Sequence, residues 1–322
     1  MKPKFSIITP NYNSFHLMNR FFDSLENQTF KDFEVLIIDD CSTDDSYEKL
    51  LEYKKNSKLN LKIFKNQKNT GPGLARNIGI DEASVEYLTF MDNDDWVDLT
   101  LLEEINKISL LNQYDCIIYD YYLDFGDKTI RSSSVYGDYN GKIEKHDAIT
   151  YVRNHSVCKF YKLDIIKNNK IKYPAIRRHE DIAFVGSVLT KCNSFYYLKK
   201  NMYHYVQRKK SLSKNNFIDE KTLDDAFEML KQNYAKKYSK ELKEKSVLDL
   251  LYNKVLIMCK NHRKYKNIKL FINNYEKYNS NWYSYNIVNY VGKSKKIFLF
   301  LIKYKFILTL KLLSFIHTLL GG

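Results

Sequence analysis

The sequence predicts an α/β fold, a mainly parallel sheet flanked by helices and followed by a helical C-terminal extension. Three observations lead there. In residues 1–100, short β-rich runs alternate four times with segments of helical periodicity, which is the pattern of strand–crossover–strand units. Three of those runs end in polar or acidic residues: Pro10-Asn11-Tyr12-Asn13, Asp39-Asp40 and Asp92-Asn93-Asp94-Asp95. In a parallel sheet such ends share one rim, where open α/β sheets bind ligands. Beyond Asp219 the pattern turns helical, with lysines crowding the polar faces.

The elements follow in order. Phe5–Thr9 is a strand that stops at Pro10, which cannot donate to a central ladder. Ser14 is placed to cap a helix carrying Leu17, Phe21, Phe22 and Leu25 on one face. Glu34–Ile38 is a second strand, and Ser42 opens the next helix, with Asp44 and Asp45 in its first turn. Leu61–Phe64 is a third strand, Asn69–Gly73 a turn and Leu74–Ala83 a helix. The fourth strand is the apolar run before Asp92. A helix over 101–111, an aromatic strand over Tyr114–Tyr122 and an irregular stretch over 124–146 come next. Glu180-Asp181 opens a helix running through Leu189, and helices are expected at about 219–237, 241–262 and 264–278.

Charge divides the chain. Residues 1–100 hold 12 Lys/Arg against 17 Asp/Glu, whereas residues 231–322 hold 19 against 4. An acidic front and a basic tail place chemistry at one end and an anionic surface at the other. The five cysteines are scattered, with no C-x-x-C pair. That favours a reducing compartment over a zinc site or a disulfide framework. No basic-then-apolar leader opens the sequence, so the expected location is cytoplasmic.

The chemistry-bearing residues point to an anionic ligand held with a cation. Asp92, Asp94 and Asp95 repel one another unless a cation or a set of donors lies among them. A hard ion that also meets a diphosphate, Mg²⁺ or Mn²⁺, suits such oxygen ligands. Arg76 adds a permanent cation early in a helix. Gly71-x-Gly73 fails the dinucleotide fingerprint, because Arg76 holds the third glycine position and the turn follows the third strand. No P-loop motif occurs. A carboxylate at a helix N-terminus beside Arg177 and Arg178 is expected to stay ionised and poised to take a proton, and Glu180-Asp181 is such a pair.

Four motifs, Phe5–Asn13 (FSIITPNYN), Asp32–Ser46 (DFEVLIIDDCSTDDS), Asn69–Gly79 (NTGPGLARNIG) and Leu88–Asp95 (LTFMDNDD), resemble family 2 glycosyltransferases in order and spacing. The resemblance implies a GT-A, Rossmann-like fold, a nucleotide-sugar donor, a divalent metal and transfer with inversion. By position it implies that Pro10 and Tyr12 flank the donor base, with Asn13 beside them, and that Asp40 accepts a hydrogen bond from that base. Arg76 would contact the nucleoside and Asp92 the ribose or sugar. Asp94 would ligate the metal with Asp92, and Asp95 would support them or add a ligand. Glu180-Asp181 matches the family's E-D motif, whose aspartate is the base. Lys159 fits the pattern as a donor or acceptor contact. His204 is either a third metal ligand or a strand histidine packed among tyrosines. Arg208 would steady the leaving diphosphate, and Ser211 and Ser213 fall in a loop over it. Gln207-Arg208-Lys209-Lys210 lacks the spacing and tryptophan of processive synthases, so one sugar per encounter is expected.

The organisation expected is a catalytic domain over 1–215, with a donor half at 1–100 and an acceptor half at 101–215. A helical region at 216–291 and an amphipathic helix at 292–322 follow. The last segment is apolar, yet Lys303, Lys305 and Lys311 interrupt it, each costly at a bilayer centre. It reads as one interfacial helix on an anionic membrane. Docking to a partner or a second copy, and a true span, are the alternatives. The expected activity is transfer of one sugar, the donor being a UDP-sugar by resemblance, to a membrane-linked or polymeric glycan in cell-surface or wall polymer assembly. A non-catalytic protein gripping nucleic acid through the basic tail is the competing class. The acidic rim and the apolar end weigh against nucleic acid.

Overall fold

A computed structural model of the chain describes residues 3–208, 220–234 and 237–319. Ten strands form one sheet: β1 Phe5–Asn11, β2 Phe33–Asp39, β3 Leu61–Lys65, β4 Tyr87–Phe90, β5 Trp96–Val97, β6 Cys116–Asp124, β7 Thr129–Ser132, β8 Gly141–Ile143, β9 Lys159–Lys162 and β10 Phe195–Val206. The order is β3-β2-β1-β4-β9-β6-β10-β5, with β7 on β6 and β8 on β10. β1, β2, β3 and β4 are mutually parallel, and β9 inserts antiparallel between β4 and β6. The sheet is therefore parallel over β1–β4 and mixed beyond them.

Pro10 does not end β1. Ile8 turns its carbonyl toward Met91, at 3.1 Å. Two residues on, Pro10 faces the same side, but the β1–β4 register stops at Ile8–Phe90. The missing N–H therefore breaks no ladder bond, and the strand continues to Asn11 against β2.

Six helices flank the sheet: α1 Asn19–Glu26, α2 Ser46–Asn56, α3 Pro72–Glu82, α4 Leu101–Leu111, α5 Lys145–Tyr151 and α6 Leu163–Asn168. Two expected caps differ. Ser14 precedes a single 3-10 turn at Phe15–Leu17 and bonds the Tyr12 carbonyl at 2.8 Å instead of capping. Ser42 lies four residues before α2, with its hydroxyl on Asp39, and the Ser46 N–H is met by Asp44 Oδ1 at 3.0 Å.

The alternation along β1 feeds two cores, one per sheet face. Phe5 and Ile7 pack with Val35, Ile37, Phe21, Leu25, Leu102 and Ile105. Ile8 packs on the other face with Leu36, Ile38, Leu88 and Phe90. That second core continues without a break through the C-terminal helices to Leu310. α7 Glu180–Lys191 carries it outward to α8 Glu220–Tyr234. α9 Ser239–Ser246 runs through a π-helical segment at Val247–Tyr252 into α10 Asn253–Lys260. α11 Tyr265–Tyr278, α12 Asn286–Tyr290, α13 Lys293–Lys303 and α14 Ile307–Leu319 complete the chain. Trp282, fully buried, plugs this helical layer.

The terminal segment is two helices, not the single one expected. Lys305 adopts a left-handed φ of 57° between them, and its Nζ pairs with Glu276 at 2.8 Å. Phe298, Leu299, Leu301 and Ile302 are buried, while Phe300, Tyr304, Phe306 and Leu308 face outward. Among the described residues no helix is long and apolar enough to cross a membrane.

Candidate active site

The rim of the sheet is knitted by side chains at strand ends. Asn11, closing β1, donates to Asp39 Oδ1 at 2.9 Å and accepts from Asn93 Nδ2 at 2.8 Å. One amide thus couples the ends of β1 and β2 to the acidic loop after β4. Asn13 pins the loop after β2: its Oδ1 accepts the Thr43 N–H at 2.8 Å, and its own N–H donates to Ser42 Oγ at 2.9 Å. Between them, the Tyr12 ring is 43% exposed on an anchored turn, which is what a stacking platform for a planar ring requires.

Asp40 has another occupation than the resemblance implied. It is buried, and its carboxylate is filled from within the chain. Oδ1 takes Asn66 Nδ2 at 2.6 Å and Thr70 Oγ1 at 2.9 Å; Oδ2 takes the N–H groups of Thr70 and Gly71 at 2.9 and 2.6 Å. A carboxylate has about four acceptor positions, so little is left for a donor base. Asp40 shapes the turn before α3, where Gly71 adopts φ 91°.

Arg76, in α3, is 5% exposed and joins two parts of the site. Nη2 donates to Asp92 Oδ1 at 2.8 Å, Nη1 lies 3.6 Å from Glu180 Oε1, and the guanidinium sits 5.6 Å over the Tyr173 ring. Burial opposes its charge, but Asp92, Asp181 and Glu180 outweigh burial, and its pKa stands above the ordinary value. A single guanidinium therefore brings the acid after β4 together with the E-D pair of α7.

The three acids of the loop divide their tasks. Asp95 is fully buried, accepting Tyr203 Oη at 2.6 Å and the Val206 N–H at 2.8 Å. It ties the loop to β10, whose register shifts between Leu198 and Tyr203 bring that strand's end to this point. Asp94 pairs with Arg208, the last residue described after β10. Burial, then the neighbouring Asp92, pushes the Asp94 carboxyl upward against the pull of Arg208. Among the described residues no set of three or more His, Cys, Asp or Glu side chains is arranged to hold a metal. Asp92 and Asp94 crowd each other and each is held by one arginine, Arg76 and Arg208; the pair fits the lesser demand of Mg²⁺ or Mn²⁺, which takes one or two carboxylates and completes its shell with water and substrate phosphate.

His204 does not join them. Its ring stacks on Trp96 at 3.4 Å and on Tyr122 at 4.9 Å, and its Nε2 bonds Asp98 at 2.8 Å. The reading as a strand histidine packed among aromatics is the one the structure supports. Ser211 and Ser213 lie outside the described residues.

The E-D pair opens α7 behind His179, which adopts φ 63°. Asp181 Oδ1 accepts Ser156 Oγ at 2.6 Å, and Ser156 is in turn 2.6 Å from Tyr173 Oη. Glu180 departs from the expectation of an ionised pair. Burial, then the adjacent Asp181, raises it to about 7 despite Arg76. Lys159 also departs from expectation. Fully buried and lowered by burial to about 8, it donates to the His155 carbonyl at 2.6 Å and to the Val157 carbonyl at 3.3 Å. It holds the turn that presents Ser156 and touches neither rim acid.

Sequence reasoning missed Ser156, Tyr173 and Tyr203, because serines and tyrosines in unpatterned stretches carry no signal of their own. It also missed Asn93, hidden inside the acidic run.

Comparison with known proteins bears on the family and the fold. The model of glycosyl transferase family 2 matches residues 6–169, just over half of the chain. The poly(ribitol-phosphate) beta-N-acetylglucosaminyltransferase TarS of Staphylococcus aureus strain MW2 is 28% identical over 222 residues, covering 64% of this chain and 36% of that protein. The poly(ribitol-phosphate) beta-glucosyltransferase of Bacillus spizizenii is 31% identical over 213 residues, covering 64% of this chain and 32% of its own. The chain thus spans about a third of the length of these relatives. The crystal structure of S. aureus TarS 1-349 in complex with UDP superimposes with a TM-score of 0.69 at 20% identity, over 96% of this chain and 89% of that one.

Proposed function

The chain belongs to glycosyl transferase family 2 and has its GT-A fold, and on that premise we propose an inverting, metal-dependent transferase. It moves one sugar from a nucleoside diphosphate sugar, read as a UDP-sugar, to a hydroxyl of a membrane-linked or polymeric glycan. UDP in the related crystal structure and the poly(ribitol-phosphate) acceptors in two relatives' names support the donor and the polymeric acceptor. The observation that carries the reading is Arg76, which meets Asp92 and Glu180 with one guanidinium and so links a donor rim to the residue beside the proposed base.

In this reading Tyr12 stacks on the base of the nucleotide, Pro10 and Asn13 fix that turn, and Asp40 holds the turn opposite it. Asp94, with Asp92, binds Mg²⁺ or Mn²⁺, which supplies positive charge to the diphosphate when bound. Arg208, just after β10, adds a cation beside Asp94. The acceptor hydroxyl attacks the anomeric carbon opposite the diphosphate. The carbon–oxygen bond to the diphosphate breaks, and its electron pair leaves with that oxygen. The hydroxyl proton passes to Asp181. Ser156 Oγ fixes Oδ1 of that carboxylate, while Oδ2 meets only the Ser156 N–H, at 3.3 Å, among the described residues. Oδ2 is the oxygen left to take the proton. Glu180 orients the pair and receives its counter-charge from Arg76.

We assign residues 1–215 to catalysis, with helices 216–291 as their support. The segment 292–322 then rests on an anionic membrane through the exposed apolar side chains described up to Phe315. Ile297 (55%), Leu308 (76%) and Leu312 (58%) beside Lys293 and Lys296 suit lipid better than nucleic acid. A screen of UDP-sugars scored by released UDP tests the activity. Metal-dependent release from at least one donor is expected; no release from any nucleotide sugar, with Mg²⁺ or Mn²⁺, sinks it.

A further inference from the structure

Three cations, Arg153, Lys245 and Lys295, gather around residues 152–154, and none makes a direct ion pair among the described residues. Arg153, in the connection between α5 and β9, lies 4.5 Å over the Tyr136 ring and donates through Nη1 to Tyr121 Oη at 3.2 Å. Its Nε is buried without a hydrogen-bond partner. Lys295, in the first turn of α13, lies 5.2 Å over the Tyr252 ring, at the end of the π-helical segment. Lys245 lies behind them, 3% exposed, with its Nζ on the Val152 carbonyl at 2.6 Å. Burial, then repulsion from Arg153, lowers the pKa of Lys295, so the two charges are close enough to oppose each other.

Two carboxylates, Asp249 and Asp120, lie near these three cations and offset part of their charge without forming a direct ion pair. Asp249 receives Asn154 Nδ2 at 2.6 Å, and Asp120 receives the Ser134 N–H at 2.7 Å and Tyr197 Oη at 2.6 Å. Their hydrogen bonds come from neutral donors; burial raises both carboxyls, against the pull of Lys245 and Lys295 on Asp249 and of Arg153 on Asp120. A π-helical turn is a costly departure that recurs at functional sites. Here it carries Asp249 and Tyr252 into the cluster.

We propose that Arg153 and Lys295, backed by Lys245, form an anion subsite that clamps a phosphodiester of the acceptor and so presents its neighbouring hydroxyl to Asp181. The proposal rests on the transferase reading above. A guanidinium edge and an ammonium suit the oxygens of one phosphate, the arginine by its planar fork and the lysine as a point charge. The distance to the chemistry is short in the chain. Arg153 stands three residues before Ser156, which holds Asp181, and Tyr121 packs on His155 at 5.3 Å between them. A chain of polyol phosphate carries hydroxyls beside every phosphodiester, so gripping the phosphate fixes which hydroxyl reaches the base.

The test is calorimetric titration of a short ribitol phosphate oligomer, of neutral ribitol, of inorganic phosphate and of phosphatidylglycerol vesicles into the full chain. The wild type, Arg153→Gln and Lys295→Gln are compared; the second variant lies at the start of a surface helix and guards against misfolding of the first. Expected is binding of the oligomer that weakens about tenfold in each variant and falls with salt, weak binding of phosphate and none of ribitol. Oligomer binding that is absent, or equal in all three proteins, overturns the proposal. So does an Arg153-dependent gain with vesicles alone, which assigns the site to a lipid headgroup. UDP titrated into the same proteins separates the two readings: its failure to bind the wild type removes the donor site, while the anion subsite stands or falls on the oligomer.

Discussion

Arg76 shows how one buried charge is kept by the acids around it. Alone, a guanidinium at 5% exposure carries a desolvation cost that only paired acids offset. Asp92, Glu180 and Asp181 supply that pairing. The proposed base gives the plainest single-residue prediction. Asp181→Asn should keep UDP affinity within a factor of about two while transfer falls by roughly 10²–10⁴, because only the proton acceptor is lost; UDP calorimetry beside a coupled transfer assay checks it. Glu180 predicts a pH effect. Its folded pKa of about 7 lies above the ordinary 4.5, so the folded state holds the proton while the unfolded chain releases it. Stability from this group is full below 4.5 and is lost as pH rises toward 7. Without ligand or metal, Glu180→Gln should match the wild type at pH 4 and exceed it by on the order of 1–3 kcal/mol at pH 8 in denaturant melts. Residue identities at the rim were legible because acids at strand ends advertise themselves. The task of each was less so. Asp40 and Lys159 looked like ligand contacts and His204 like either a ligand or a packed strand residue; folding turned each toward its own backbone or neighbours, through long-range pairings that spacing alone does not encode.

The elements were read well wherever periodicity was strong. α4 falls at 101–111 as expected, and the helices after residue 219 match within a few residues. Errors came at ends and breaks. Pro10 stays in β1 because its neighbour strand has already ended, and Ser14 and Ser42 turn inward to the rim instead of capping. The break at Lys305 was hidden because apolar residues run through it without a glycine or proline. Contact between α3 and the sheet gives the prediction at this scale. A Cβ on Gly79 would sit 2.3 Å from Ile8 Cγ2 and 3.1 Å from Ile38 Cδ1, side chains fixed in two central strands. Gly79→Ala should cost about 1–3 kcal/mol in unfolding free energy. Gly292→Ala, with nothing within 4 Å and a φ of −64°, should change it by no more than about 0.5 kcal/mol.

The molecule as a whole joins an acidic rim to a basic, partly apolar end through one continuous core. The charge split was visible in the sequence, whereas the continuity was not, because the residues closing that core come from nearly every element. The terminal hairpin gives the prediction for the whole chain. Leu308→Ser with Leu312→Ser, both on the outer face, should leave the thermal midpoint unchanged and weaken binding to phosphatidylglycerol vesicles by about tenfold in sedimentation assays. Equal sedimentation would assign that face to another partner. The central proposal concerns the other end: that Asp92, Asp94, Arg76 and the E-D pair gather around one diphosphate. Anomalous diffraction from crystals grown with UDP and Mn²⁺ tests it most directly. The ion should lie about 2.1 Å from an Asp94 oxygen and touch the diphosphate, with Asp181 facing the same cleft. A manganese peak remote from Asp94, or UDP bound away from Tyr12 and Arg76, would contradict the account.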